Sequence, residues 1–243
     1  FLLSPATLTS IDRMTVDIAL AALCVAFVLY CGDASLWKMI VILAAALLNR
    51  ETAWVLFGSY AAFLMLRRRF ADVAFSAVAA IPIVGWQLYI AAKAGNFGSP
   101  PQLLGWTPLG GFFYRLLHVE NYDLPLRVAS MAVVFDYVAL AGMALAIVLA
   151  CMIAIRMATK RQASPIPVAI CGYALAVIFL NGHGEWGDAF AFGRIFAPLL
   201  VLLAMHYMPS RIWLGLAPTL LVDSRIALNF GRHAQEIIHN WIS

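Results

Sequence analysis

Apolar residues run along this chain in eight long stretches, at about 15–31, 35–48, 52–66, 70–93, 128–155, 166–181, 194–208 and 212–224, and polar or Gly/Pro-rich residues separate them. The stretches are continuous. They lack the apolar/polar alternation of half-buried strands or of an outer-membrane barrel. The pattern predicts an all-α fold, a polytopic bundle of about eight transmembrane helices in a single domain over 1–243. Several stretches fall short of the ~20 residues that a span normally needs. Their helices must extend into flanking polar residues, or tilt beside a thinned bilayer. One long polar connection interrupts the series at 94–127. It keeps its aromatics and leucines, as a functional loop folded onto the membrane surface would, and its part "GGFFYRLLHV" reads as a short interfacial helix. Residues 225–243 read as a second interfacial helix at the C-terminus.

The stretch "ALLNRETAWVLF" (46–57) breaks an apolar run with four polar residues. Read as one helix, 36–66 would be about 46 Å long at ~1.5 Å per residue. That overshoots a ~30 Å hydrocarbon core and places Arg50 and Glu51 near its middle, at roughly 2.5–3.5 kcal/mol each. Read as a hairpin, both arms are short but the charges reach the interface. The hairpin is favoured because it keeps the eight-span map consistent with the basic clusters. Adjacent residues do not face each other on a helix, so Arg50 and Glu51 need separate partners. Asp12, Arg13 and Asp17 of "SIDRMTVD", and the acidic loop residues, are candidates.

Composition narrows the class. The 243 residues are 64% hydrophobic and 12% charged, about half the charged fraction of a soluble domain. The net charge of +4 does not suggest a nucleic-acid partner, because basic residues in membrane proteins usually mark cytoplasmic loops. "RRR" at 67–69 and "RMATKR" at 156–161 are the densest clusters and are assigned to the cytoplasmic side. Alternation then puts 1–14, the "NRET" turn, 94–127 and "NGHGEWGDAFAFGR" (181–194) outside. The 16 Lys/Arg split evenly between sides, so the orientation rests on clustering. Only Asp33 and Asp72 among the acidic residues map inside, an asymmetry that a polar site on the outer face would explain. Trp37 and Trp213 map to the inner interface, and Trp54, Trp106 and Trp186 to the outer, as aromatic anchors. Cys24, Cys31, Cys151 and Cys171 read as small buried hydrophobes rather than a disulfide framework or zinc site. The chain begins on Phe1 and is read as a fragment of a longer protein.

"SIDRMTVDIALAAL", "LLNRETAWVLFGSYAAFLMLRRR", "IPIVGWQLYI" and "FGRIFAPLLVLLA" together resemble bacterial integral-membrane glycosyltransferases of the GT-C superfamily, in the branch linked with cell-surface glycopolymer formation. The shared pattern is an Asp opening an apolar helix, an Arg-Glu-Thr before a later helix and a Gly-Arg before a late one. The motifs are short, although the likeness covers most of the chain. The resemblance implies transfer of a sugar from a polyprenyl-phosphate donor to a glycan or lipid acceptor on the outer face of the bacterial inner membrane. It also implies that the principal catalytic carboxylate lies in the first outer loop, upstream of Phe1.

The remaining residues suit that chemistry. Arginine presents paired donors to phosphate oxygens, which makes Arg13, Arg50 and Arg194 candidates for the carrier phosphate. An acceptor hydroxyl needs a carboxylate base within hydrogen-bond reach, and Asp12, Asp17 and Glu51 are the candidates. His118, Glu120 and Asp123 of "HVENYD" are weaker candidates for substrate contact. Bland readings stand beside these. Asp17 also suits a helix N-terminus, and Arg50 with Glu51 also suits a structural polar plug between helices. Asp136, two turns inside its span, either pairs with a neighbouring helix or lines a polar cavity. No cofactor is assigned. A divalent metal would find ligands in His183, Glu185 and Asp188, but their spacing matches no strong motif and a solvated loop is the better reading. The rival class is a transporter or flippase of glycan or lipid precursors, or a scaffold subunit. A transporter is expected to show repeated halves around a midplane site, and this chain shows no repeat.

Overall fold

The structure, a computed structural model, describes residues 17–32, 35–94, 105–118, 122, 126–160, 162–180, 186, 189–210 and 212–242, with side chains in the last helix described as far as Leu228. Every regular element among them is helical: α1 (Asp17–Tyr30), α2 (Leu36–Asn49), α3 (Ala53–Leu66), α4 (Phe70–Ser76), a 3-10 turn (Ala77–Ala80), α5 (Ile81–Ala94), α6 (Gly110–Leu117), α7 (Leu126–Lys160), α8 (Pro165–Phe179), α9 (Ala189–Tyr207) and α10 (Ile212–Ile242). Each of the eight apolar runs is therefore helical. Two segments among the described residues are long and apolar enough to cross a membrane, Phe70–Lys93 and Val128–Lys160, and five further apolar helices are shorter.

Local chemistry accounts for the element boundaries. The hairpin reading of 36–66 holds: α2 stops at Asn49, Arg50 turns extended at φ −157°, and α3 restarts at Ala53. A single helix would have carried both charges into its own middle. Pro165 opens α8, where a missing backbone N–H costs no hydrogen bond. Pro82 lies just beyond the 3-10 turn between α4 and α5. It has no N–H to offer the residue four before it, and the preceding residues tighten into i→i+3 bonding rather than break. The whole segment thereby runs as one apolar rod, of which only 11% of the most apolar window is buried. Residues 225–242 continue α10 without a break from 212. "GGFFYRLL" is helical as α6.

Close packing relies on small residues. A Cβ on Gly142 of α7 would fall 2.9 Å from the Pro218 carbonyl and 2.8 Å from the Leu221 Cβ of α10. A Cβ on Gly172 of α8 would meet the Ser59 Oγ of α3 at 2.0 Å. Backbones that approach this closely gain dispersion contacts, the main source of helix association where lipid is as apolar as the interface. The buried set is almost wholly apolar, from Leu20 and Phe27 of α1 to Phe196, Leu200 and Leu203 of α9.

The bundle has two chemically distinct ends. At one, the Arg67 Nη2 donates to the Ala163 carbonyl at 2.7 Å, which joins the "RRR" turn to the connection after "TKR". At the other lie the start of α1, the Arg50 turn and the first turns of α9. The two basic connections thus share one end, as alternation of the spans requires. Cysteine placement departs in part from expectation: Cys24 is buried, Cys31 and Cys171 are half-buried and Cys151 is exposed, and all four are free. Cys151 lies on an outward face of α7, where an apolar surrounding would tolerate a thiol.

Candidate functional site

Asp17, at the start of α1, is the centre of the first polar node. Its side chain is 2% exposed, and both its oxygens are engaged by arginines from elsewhere in the chain. The Arg194 Nε of α9 donates to Oδ2 at 2.6 Å, and the Arg50 guanidinium, from the turn between α2 and α3, pairs with Oδ1. Three segments up to 177 residues apart thus converge on one carboxylate. The arginines are not sealed: their side chains are 23% and 27% exposed. Burial pushes the Arg50 pKa down from its ordinary value, the neighbouring charge of Arg194 adds to that, and Glu51 opposes it. Two guanidiniums on one carboxylate leave a formal charge of +1, with open donor positions at the rim. Such an arrangement is suited to an anion with several oxygens, a phosphate above all.

Glu51 does not join the node. It is exposed in the turn and forms no ion pair with any described residue. The reason is local. Arg50 leaves α2 in an extended conformation, which turns the next side chain the other way. Of the two charges of "NRET", Arg50 alone finds its partner in Asp17. His118 ends α6 with its ring stacked on Tyr114 at 4.3 Å and its Nδ1 3.0 Å from the Tyr114 carbonyl, an arrangement that closes its own helix. Asp12, Arg13, Glu120, Asp123, His183, Glu185 and Asp188 lie outside the described residues. Among the described residues no group of His, Cys, Asp or Glu could hold a metal ion.

A second node has the same composition and was not legible beforehand as a cluster. Asp136 of α7 accepts from the Arg115 Nη2 of α6 at 2.7 Å and from the Arg225 Nε of α10 at 2.8 Å. The Tyr122 hydroxyl also donates to it, and the Arg225 guanidinium lies over the Tyr122 ring, 5.3 Å from its centroid. All three charged side chains are about 5% exposed. Of the two readings open for Asp136, pairing with neighbouring elements is the one observed. A lone carboxylate inside an apolar span demands a cation, but the sequence did not say which.

Trp186 corrects an expectation. It is not an interfacial anchor: it is completely buried, the largest such side chain in the core. Its indole N–H donates to the Leu180 carbonyl at 3.0 Å, so its one polar atom is satisfied. Its ring meets Phe112, Phe192 and Phe196 at 5.0–5.8 Å. Gly111 makes this possible, because a Cβ there would lie 2.1 Å from the Trp186 Cδ1. The aromatic cluster fastens α6 to the turn of α9 that carries Arg194. Trp37, Trp106 and Trp213 are exposed as expected. No family model, curated protein or solved structure matches this chain.

Proposed function

We propose that this chain is part of an integral-membrane glycosyltransferase that draws on a polyprenyl-phosphate-linked sugar and acts at the membrane face where Asp17, Arg50 and Arg194 meet. The single observation behind this reading is that node. A buried carboxylate holds two guanidiniums, each about a quarter exposed, at the end of the bundle away from the basic turns. The membrane setting draws support from the Phe70–Lys93 rod. A core helix of a soluble protein is mostly buried, whereas this one is apolar and 11% buried, and water is a poor environment for such a surface. On this reading the eight helical runs cross or enter the bacterial inner membrane, the basic turns face the cytoplasm and the node faces the periplasm or exterior.

The chemistry follows from the geometry. Breaking the bond between the sugar and the carrier oxygen leaves growing negative charge on the phosphate. Arg50 and Arg194 would hold that phosphate and stabilise the charge through preorganised, charge-assisted donors. Asp17, with both oxygens taken by arginine, is a positioning residue rather than the base. Glu51, exposed beside the node, is a described carboxylate placed to take a proton from an acceptor hydroxyl. The test is transfer from a polyprenyl-phosphate sugar by the purified full-length protein, normalised to folded material. Arg50→Ala is expected to lower turnover by ~10²–10³ without loss of membrane insertion. Arg50→Lys keeps the charge, loses the fork and should fall between. Near-normal turnover per folded Arg50→Ala molecule would return the node to a structural role.

A further inference from the structure

The basic end of the bundle, opposite the Asp17 node, holds a cavity of about 590 Å³. Its volume lies within the range of about 300–1,000 Å³ in which proteins hold small ligands. Leu29, Leu36, Phe63 and Ile166 supply apolar wall, and Tyr60 and Arg69 supply polar wall. Arg69, the last of three consecutive arginines, lines it. Arg67 is committed to the Ala163 carbonyl and lies 5.9 Å from the centroid of the Phe63 ring. Arg69 pairs with Asp72 across one helical turn, in a bond that is exposed and so weakly held. Arg68, at φ 57°, is in the left-handed region, which non-glycine residues seldom adopt, and its side chain is exposed. Large apolar side chains lie in the open nearby in the chain: Leu29 of the cavity wall, and Leu66 and Phe70 flanking the arginine turn, are each about 65% exposed.

An occupant must therefore present an anion to Arg69 and hydrocarbon to the wall beside it. A free phosphate would satisfy only the first, and a neutral lipid only the second. We infer that this cavity binds an anionic phospholipid of the leaflet at the basic end, with its phosphate headgroup at Arg69 and its glycerol and first acyl carbons against Leu36 and Phe63. The inference rests on the membrane setting proposed above and is independent of glycosyl transfer. Its consequence is a second lipid-phosphate site at the opposite end of the bundle from the Asp17 node. A bound lipid there would tie α1, α3 and α8 together beside the turn that carries the "RRR" cluster.

Native mass spectrometry of the full-length protein in detergent micelles tests this. The three probes are dioleoylphosphatidylglycerol, dioleoylphosphatidylcholine and glycerol 3-phosphate. The expected result is retention of the phosphatidylglycerol but not of the other two. Arg69→Gln should weaken it about fivefold, the scale of one basic residue at an anionic lipid surface. Asp72→Asn, which releases Arg69, should strengthen it. Gly32 also lines the cavity, and a Cβ there meets nothing within 4 Å. Gly32→Leu should therefore expel the lipid while leaving every arginine in place. Equal retention of phosphatidylcholine would overturn the headgroup assignment. Equal retention of glycerol 3-phosphate would replace the lipid with a soluble phosphate ester. Unchanged binding by Gly32→Leu would move the lipid from the cavity to the surface. A protein that stays in solution without detergent would remove the membrane setting itself, a failure distinct from the other three.

Discussion

Asp17 and Asp136 are each held by two arginines, yet the two nodes are built for different work. Around Asp136 the carboxylate and both guanidiniums are about 5% exposed, and a tyrosine hydroxyl closes the remaining side. Around Asp17 the carboxylate is just as buried, but the arginines keep about a quarter of their side-chain surface open. The same three groups thus make a sealed tie in one place and a partly open cluster in the other. The sealed node joins α6, α7 and α10, so it fastens the described part of the 94–127 connection to the bundle. The open node joins the ends of α1 and α9 to the α2–α3 turn, where an incoming phosphate could reach it. Residue identity does not separate a structural ion cluster from a binding one. Access to the donors does.

The largest test of this contrast is removal of each carboxylate in turn. Asp136→Ala removes the carboxylate that the buried Arg115 and Arg225 share and should cost ~3–5 kcal/mol of stability, read as a large drop in the thermal unfolding midpoint in detergent. Asp17→Ala frees arginines that can turn to solvent and should cost less, about 1–3 kcal/mol. Equal losses would erase the distinction between sealed tie and open cluster.

Gly111→Ala probes the link between α6 and the helix that carries Arg194. The added methyl overlaps the Trp186 ring, and such overpacking typically costs ~1–3 kcal/mol. The Trp186 environment should change with it, visible as a shifted near-ultraviolet dichroism signal. An unchanged signal and midpoint would mean that the aromatic cluster yields without strain. The smallest expected effect belongs to Glu51→Gln. An exposed residue with no partner among the described residues should change stability by no more than ~0.5 kcal/mol. If Glu51 is the proton acceptor, the same variant should nevertheless lose transfer activity. A large loss of stability instead would show that Glu51 holds the turn together.

Much of the architecture could be read along the chain because helix formation in apolar runs is a local matter. All eight runs are helical, the break at Asn49–Thr52 is where the charges required it, and "GGFFYRLL" forms its own short helix. Part of the open node was legible too. An arginine and an aspartate at adjacent helix ends each needed a partner, and Asp17 was among those named for Arg50. Arg194 was placed at the same end, but its bond to Asp17 was not foreseen. The sealed node was not read as a unit. Arg115 and Arg225 each fell in a segment read as an interfacial helix. The available signal was Asp136 itself, a carboxylate too deep in an apolar run to lack a cation. Trp186 was misplaced because its neighbours are glycines and charges, which suggested a wet loop.

The sequence by itself determined that this protein is built of helices, where the α2–α3 break falls, and which end of the bundle gathers its basic turns. Those properties follow from hydrophobic runs, breakers and charges within a few residues of one another. Only the tertiary structure decided which arginine meets which aspartate, which cluster opens to its surroundings, and that Trp186 is core. Those depend on how helices far apart in sequence lie against each other. That arrangement is settled by glycines such as Gly111, Gly142 and Gly172, whose missing side chains make room for partners that no local pattern names.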